Sequence, residues 1–113
     1  MDHPAYAFTH ALTRRPHPGV VDGLRAEDTG PPDLARLRAD HADYVAVLRA
    51  AGAEVIELDP LPDFPDALFV EDTALCLPEG AVLLRPGAPS RAGEVAHVEP
   101  ALAAQCRELR RLE

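Results

Sequence analysis

The residues with most chemical potential lie in one stretch, Phe64-Pro65-Asp66-Ala67-Leu68-Phe69-Val70-Glu71-Asp72. Asp66 precedes the apolar run Ala67 to Val70, and Glu71 and Asp72 close it. The run predicts a short strand. Strand side chains alternate between faces, so Glu71 and Asp72 point to opposite sides unless the backbone bends at Glu71. Three carboxylates at a strand end suit a cationic ligand. A guanidinium fits best, because its planar fork pairs bidentately with carboxylates. The plainer reading is a solvated strand end, where acids are common, and spacing alone leaves both open.

Other chemistry-bearing residues read as structural. Cys76 falls inside a predicted strand and Cys106 on an apolar stripe, and both read as small core residues rather than nucleophiles. His41 lies on the apolar side of a predicted helix and reads as a packing histidine. The two cysteines have no Cys-x-x-Cys spacing and the histidines no His-x-x-x-His pair, so neither a metal nor a cofactor is expected.

Three blocks carry a resemblance. Phe64 to Asp72 resembles the F-P-D-x-x-F-V-E-D signature of the dimethylarginine dimethylaminohydrolases, members of the guanidino-group-modifying superfamily. Arg85-Pro86-Gly87-Ala88-Pro89-Ser90-Arg91 resembles the R-P-G-A-x-S-R block that follows it. Val21-Asp22-Gly23-Leu24 resembles the early V-D-G-L loop, and the three occur in the family's order.

The resemblance implies an α/β fold, about two ββαβ modules of an α/β propeller (pentein fold). It implies hydrolysis of Nω-methylated arginine to citrulline and a methylamine, through attack of a Cys thiolate on the guanidinium carbon. By matched motif, Asp72 and Glu71 face the guanidinium. Asp66, Arg91 and the Leu24 carbonyl grip the amino-acid end. The family's nucleophilic cysteine, catalytic histidine, a further acid and a second carboxylate-binding arginine fall beyond the matched region. Residues 1–113 are therefore expected to be a single N-terminal portion, with the C-terminal portion absent and no catalytic residue of its own. An arginine deiminase or amidinotransferase relative is one alternative, which the Phe69-Val70-Glu71-Asp72 context disfavours. A non-catalytic α/β binding module is the other.

The elements that must position these residues follow from pattern. Tyr6 to Thr13 reads as a first strand, with Tyr6, Phe8, His10 and Leu12 on one face. Val20 to Gly30 is a loop, with Leu24 either a buried anchor or, by resemblance, part of a lid over the ligand. Pro31-Pro32-Asp33 opens a helix whose apolar stripe is Leu34, Leu37, His41, Tyr44, Val45 and Leu48. Gly52 sits where its cap belongs. Glu54 to Leu58 is a strand. Thr73 to Leu77 and Ala81 to Leu84 form a hairpin around Pro78-Glu79-Gly80.

Arg85 to Arg91 is a loop stiffened by Pro86 and Pro89, which holds Arg91 with little entropy left to lose. Read from position alone, Arg91 is a surface charge at a helix start. A last helix, capped by Ser90 or restarted at Pro100, carries Val95, Val98, Leu102, Cys106, Leu109 and Leu112 and runs to the end at Glu113.

Composition narrows the partners. The chain has 113 residues, enough for one small domain, and a net charge of −8, which disfavours nucleic acid. No apolar run approaches the roughly 20 residues of a membrane span. The start, Met1-Asp2-His3-Pro4, lacks a signal-peptide pattern, so a cytoplasmic location is expected. The expected partner is a small molecule, methylated arginine. Self-association, or pairing with the missing C-terminal part, is expected of an open propeller piece with an uncovered stripe on its last helix.

Overall fold

The computed structural model describes residues 8–24, 30 and 32–112. They fall into two compact units, Phe8–Leu68 and the described residues from Phe69 onward.

In the first unit, β1 (His10–Arg14) pairs in parallel with β2 (Glu54–Leu58), in register from His10 opposite Glu54 to Arg14 opposite Leu58. A parallel pair needs a crossover, and α1 (Leu34–Ala50) supplies it. β1 starts later than predicted and includes Arg14. Tyr6 lies outside the described residues, and Phe8 precedes the strand and is half exposed. Arg14 is buried, and its Nη1 donates to the Asp59 carbonyl at 2.7 Å.

Both ends of α1 follow their local chemistry. The Asp33 carboxylate accepts from the Arg36 N–H at 3.0 Å, closing the first turn. The helix begins after this cap, so Pro32 precedes it rather than sitting in its first turn; Pro31 lies outside the described residues. At the other end Gly52 takes φ 102°. Its N–H donates to the Arg49 carbonyl at 3.0 Å, and the Ala53 N–H to the Leu48 carbonyl at 3.1 Å, a Schellman closure that favours glycine. Val45 is buried, and Leu34, Leu37, His41 and Leu48 are half buried. Tyr44 corrects the predicted stripe, being 56% exposed. At 100° per residue it stands about 60° off the stripe's centre.

The second unit is a complete ββαβ. β3 (Ala74–Leu77) and β4 (Gly80–Leu83) make the predicted antiparallel hairpin, and β5 (Leu109–Arg111) returns parallel to β4 after α2 (Glu94–Gln105). The sheet order is β3-β4-β5. Gly80 is required by close approach: a Cβ there would fall 2.1 Å from the Glu108 carbonyl oxygen, which accepts from the Ala81 N–H at 2.9 Å.

Several sequence expectations are overturned here. The last helix does not run to the end. It closes at Gln105, Cys106 turns extended at φ −111° and ψ 139°, and Leu109 joins a strand. The helix starts at Glu94 after Gly93, not at Ser90, and Pro100 lies inside it. Val95, Val98 and Leu102 are buried, and α2 packs on β4, where Ala81 and Leu83 are buried too. Val95, Val98 and Leu102 of the stripe are thus covered within their own unit, whereas Leu112 stays 49% exposed.

Ala67 to Val70 is not a strand either. The Ala67 N–H turns back to the Phe64 carbonyl at 3.1 Å, and Val70–Asp72 forms a 3-10 turn closed by the Thr73 hydroxyl on the Val70 carbonyl at 2.6 Å. The Pro65-Asp66 pair favours a turn over a ladder. Cys76 lies in β3 as expected but is exposed rather than core. No helix of the described residues is long and apolar enough to cross a membrane.

Candidate functional site

In the first unit, two of the sequence blocks meet. A 3-10 turn over Pro18–Asp22 delivers Gly23 and Leu24 to Asp66. The Leu24 N–H donates to both Asp66 oxygens, at 3.2 Å to Oδ1 and 3.1 Å to Oδ2. Asp66 is only 6% exposed, so its oxygens are satisfied by protein donors rather than by bulk water. Gly23 makes the approach feasible: a Cβ there would lie 2.5 Å from Asp66 Oδ1 and 3.0 Å from the Val20 carbonyl oxygen. The Leu24 side chain is 61% exposed, so it is no buried anchor. Its backbone is what the fold fixes.

In the second unit, the end of the acidic block meets the third block at Arg91. Arg91 ends a 3-10 turn over Pro89–Arg91, just ahead of α2. Its Nε donates to Glu94 Oε2 at 3.0 Å and its Nη2 to Glu94 Oε1 at 2.9 Å, a fork-to-fork pair. Nη2 also donates to the Phe69 carbonyl at 3.0 Å, and Nη1 donates to Asp72 Oδ2 at 2.6 Å. The bonds to Glu94 raise the Arg91 pKa further above its ordinary value, partial burial works against this, and the bond to Asp72 adds to the rise. The guanidinium is therefore a permanent cation.

The structure thus joins Leu24 with Asp66, and Asp72 with Arg91. Glu71 stands exposed on the same turn as Asp72. The resemblance sets Asp72 and Arg91 at opposite ends of a ligand, whereas here they bond to each other. Sequence reasoning missed Glu94, whose side chain is 2% exposed. The signal was present as Arg91-x-x-Glu94, a spacing that brings side chains together at a helix start. It also missed the Phe69 carbonyl, for which a residue type carries no signal.

The Cys76 thiol is not activated. Partial burial, and then the neighbouring Cys106, push the Cys76 thiol up from its ordinary range, whereas a nucleophile needs a lowered pKa. Among the described residues, no group of His, Cys, Asp and Glu is arranged to hold a metal ion.

No family model matches the chain. Individual relatives do. The chain is 39% identical over 92 residues to the N(G),N(G)-dimethylarginine dimethylaminohydrolase of Pseudomonas aeruginosa, covering 81% of this chain and 36% of that protein. It is 40% identical over 100 residues to the enzyme of the same name from Streptomyces coelicolor, covering 82% and 36%. The chain thus spans about a third of the length of the curated relatives it matches.

Among solved structures, a cysteine-to-serine variant of the Pseudomonas aeruginosa enzyme complexed with citrulline superposes with a TM-score of 0.91 at 36% identity. That match covers 94% of this chain and 42% of that one. The N-terminal domain of ArgZ, at a TM-score of 0.78 and 20% identity over 90% of this chain, shares the fold. That fold is an α/β propeller, the pentein fold; the described residues supply one full ββαβ module and one βαβ. In sequence and in fold, the chain is similar to the dimethylarginine dimethylaminohydrolases over part of their length.

Proposed function

We propose that residues 1–113 are the N-terminal portion of a hydrolase that converts Nω-methylated arginine to citrulline and a methylamine. In this reading the chain supplies binding residues, and the attacking cysteine and the histidine come from the portion of the relatives it does not match. The observation that carries the reading is the Asp72–Arg91 pair at 2.6 Å. It sets an exposed carboxylate and a permanent cation side by side, from two of the three blocks that resemble the family's. An acid for a guanidinium and an arginine for an α-carboxylate are the complement of an arginine-like ligand.

Asp72, with Glu71, faces the guanidinium and orients its carbon toward the sulfur. Arg91 takes the α-carboxylate. Leu24 offers its carbonyl to the amino-acid end, with its backbone fixed by Asp66 through the N–H. The ligand is a small molecule, and neither nucleic acid nor membrane has a part in this reading. A cytoplasmic location belongs to it as well, supported by two cysteines that are free thiols.

The test is citrulline formation from Nω,Nω-dimethylarginine. The chain alone should form none. The chain fused to the portion of the Pseudomonas aeruginosa relative that it does not match should form it. Citrulline from the chain alone, lost on Cys76→Ala or Cys106→Ala, overturns the division of labour. A folded fusion with no activity overturns the reading itself.

A further inference from the structure

Among the described residues, Arg91 has two carboxylate partners of opposite character. The Glu94 side chain is 2% exposed and holds Arg91 through two donors, Nε at 3.0 Å and Nη2 at 2.9 Å. The Asp72 side chain is 55% exposed and holds it through Nη1 alone. We propose that Glu94 is the positioning residue that fixes Arg91, and that the Asp72–Arg91 pair is exchangeable, so that the site selects ligands carrying a carboxylate and a cation together. The proposal rests on the reading of Asp72 and Arg91 as ligand-binding residues.

A carboxylate arriving at Arg91 must displace an acid. Displacing Glu94 would leave a buried carboxylate without its counter-ion, which is strongly unfavourable. Asp72 can turn to water, where an exposed pair is worth little. The Phe69 carbonyl on Nη2 keeps the guanidinium plane in place while Nη1 changes partner.

The exchange has a consequence for specificity. A ligand with only a carboxylate gains one pair with Arg91 and breaks another. It also leaves Asp72 beside a second anion. A ligand with only a cation must draw Asp72 away from Arg91 and gains one pair for one lost. A ligand with both groups ends with two pairs where there was one. The carboxylate and the cation therefore help each other bind, and by linkage the help is equal in both directions.

The test uses the 15N-labelled 113-residue chain, with formate as the carboxylate probe, methylguanidinium as the cation probe, and the Arg91 side-chain N–H signals as the readout. Asp72→Asn removes the competitor, so formate should bind about two- to fivefold more tightly than to the parent chain, the worth of one exposed pair. In the parent chain, methylguanidinium should tighten formate binding, and Asp72→Asn should abolish that help. Glu94→Gln should speed solvent exchange at the Arg91 Nε–H and weaken formate binding.

Formate affinity that is unchanged or lowered by Asp72→Asn overturns the proposal, as does the absence of formate binding in both proteins. Should Glu94→Gln unfold the chain, the Asp72→Asn comparison decides alone. Because no citrulline is measured, this result stands apart from the success or failure of the fused enzyme.

Discussion

Asp66 is 6% exposed and both its oxygens face the Leu24 N–H, whereas the Asp72 side chain is 55% exposed and meets the Arg91 guanidinium. Both acids come from the same short stretch of sequence. Asp66 is shut into the first unit and bonds a backbone donor, the Leu24 N–H. Asp72 lies at the surface of the second unit and bonds a side chain that a buried acid, Glu94, already holds. Burial makes one contact a fixture, and exposure leaves the other open to exchange. Motif spacing does not reveal which is which, because the residue type is the same.

The largest effect that would sharpen this contrast is at Glu94. Glu94→Gln leaves Arg91 partly buried with its fork unmatched, and breaking a buried pair costs about 3–5 kcal/mol. Urea unfolding should show the loss as a lowered midpoint with an unchanged slope. A loss as small as that of a surface pair would erase the distinction between Glu94 and Asp72.

Gly23→Ala comes next. The new methyl would sit 2.5 Å from Asp66 Oδ1, and relieving such overpacking costs about 1–3 kcal/mol. Hydrogen exchange at the Leu24 amide should quicken as it is pushed off the carboxylate. Exchange at the parent rate would mean that Asp66 does not hold this loop. The smallest effect belongs to Asp72→Asn, which should cost under about 1 kcal/mol of stability. A loss near that of Glu94→Gln would make Asp72 a structural acid and break the comparison.

Much of the frame was legible because short-range chemistry decided it. Asp33 and Gly52 bracket α1 by capping, and Pro78-Glu79-Gly80 marks the hairpin. What stayed hidden depended on partners distant in sequence. Leu109 continues the helical spacing of Val98 and Leu102, and no proline or glycine stops the pattern after Gln105. The chain leaves the helix because Gly80 lets the Glu108 backbone approach β4 closely and take up the Ala81 N–H.

The run Ala67 to Val70 is too short for periodicity to separate a strand from turns. At the site, the residue types of Asp66, Asp72 and Arg91 were readable. The burial of Glu94, which decides how Arg91 behaves, was not, since an acid at the start of a helix usually faces water.

The central claim is that Asp72 holds the guanidinium of an arginine-like substrate while Arg91 holds its carboxylate. Steady-state kinetics of Asp72→Asn and Arg91→Ala in the fused enzyme, with dimethylarginine and its decarboxylated analogue, test this most directly. Asp72→Asn should lower kcat and kcat/KM for both substrates by about 10- to 100-fold, the worth of a charge-assisted contact made in the transition state. Arg91→Ala should raise KM for dimethylarginine by a similar factor. The decarboxylated analogue should bind the Arg91→Ala enzyme at least as well as the parent, because Arg91 no longer competes for Asp72. An unchanged kcat in Asp72→Asn, or an Arg91→Ala loss equal for both substrates, would contradict the account.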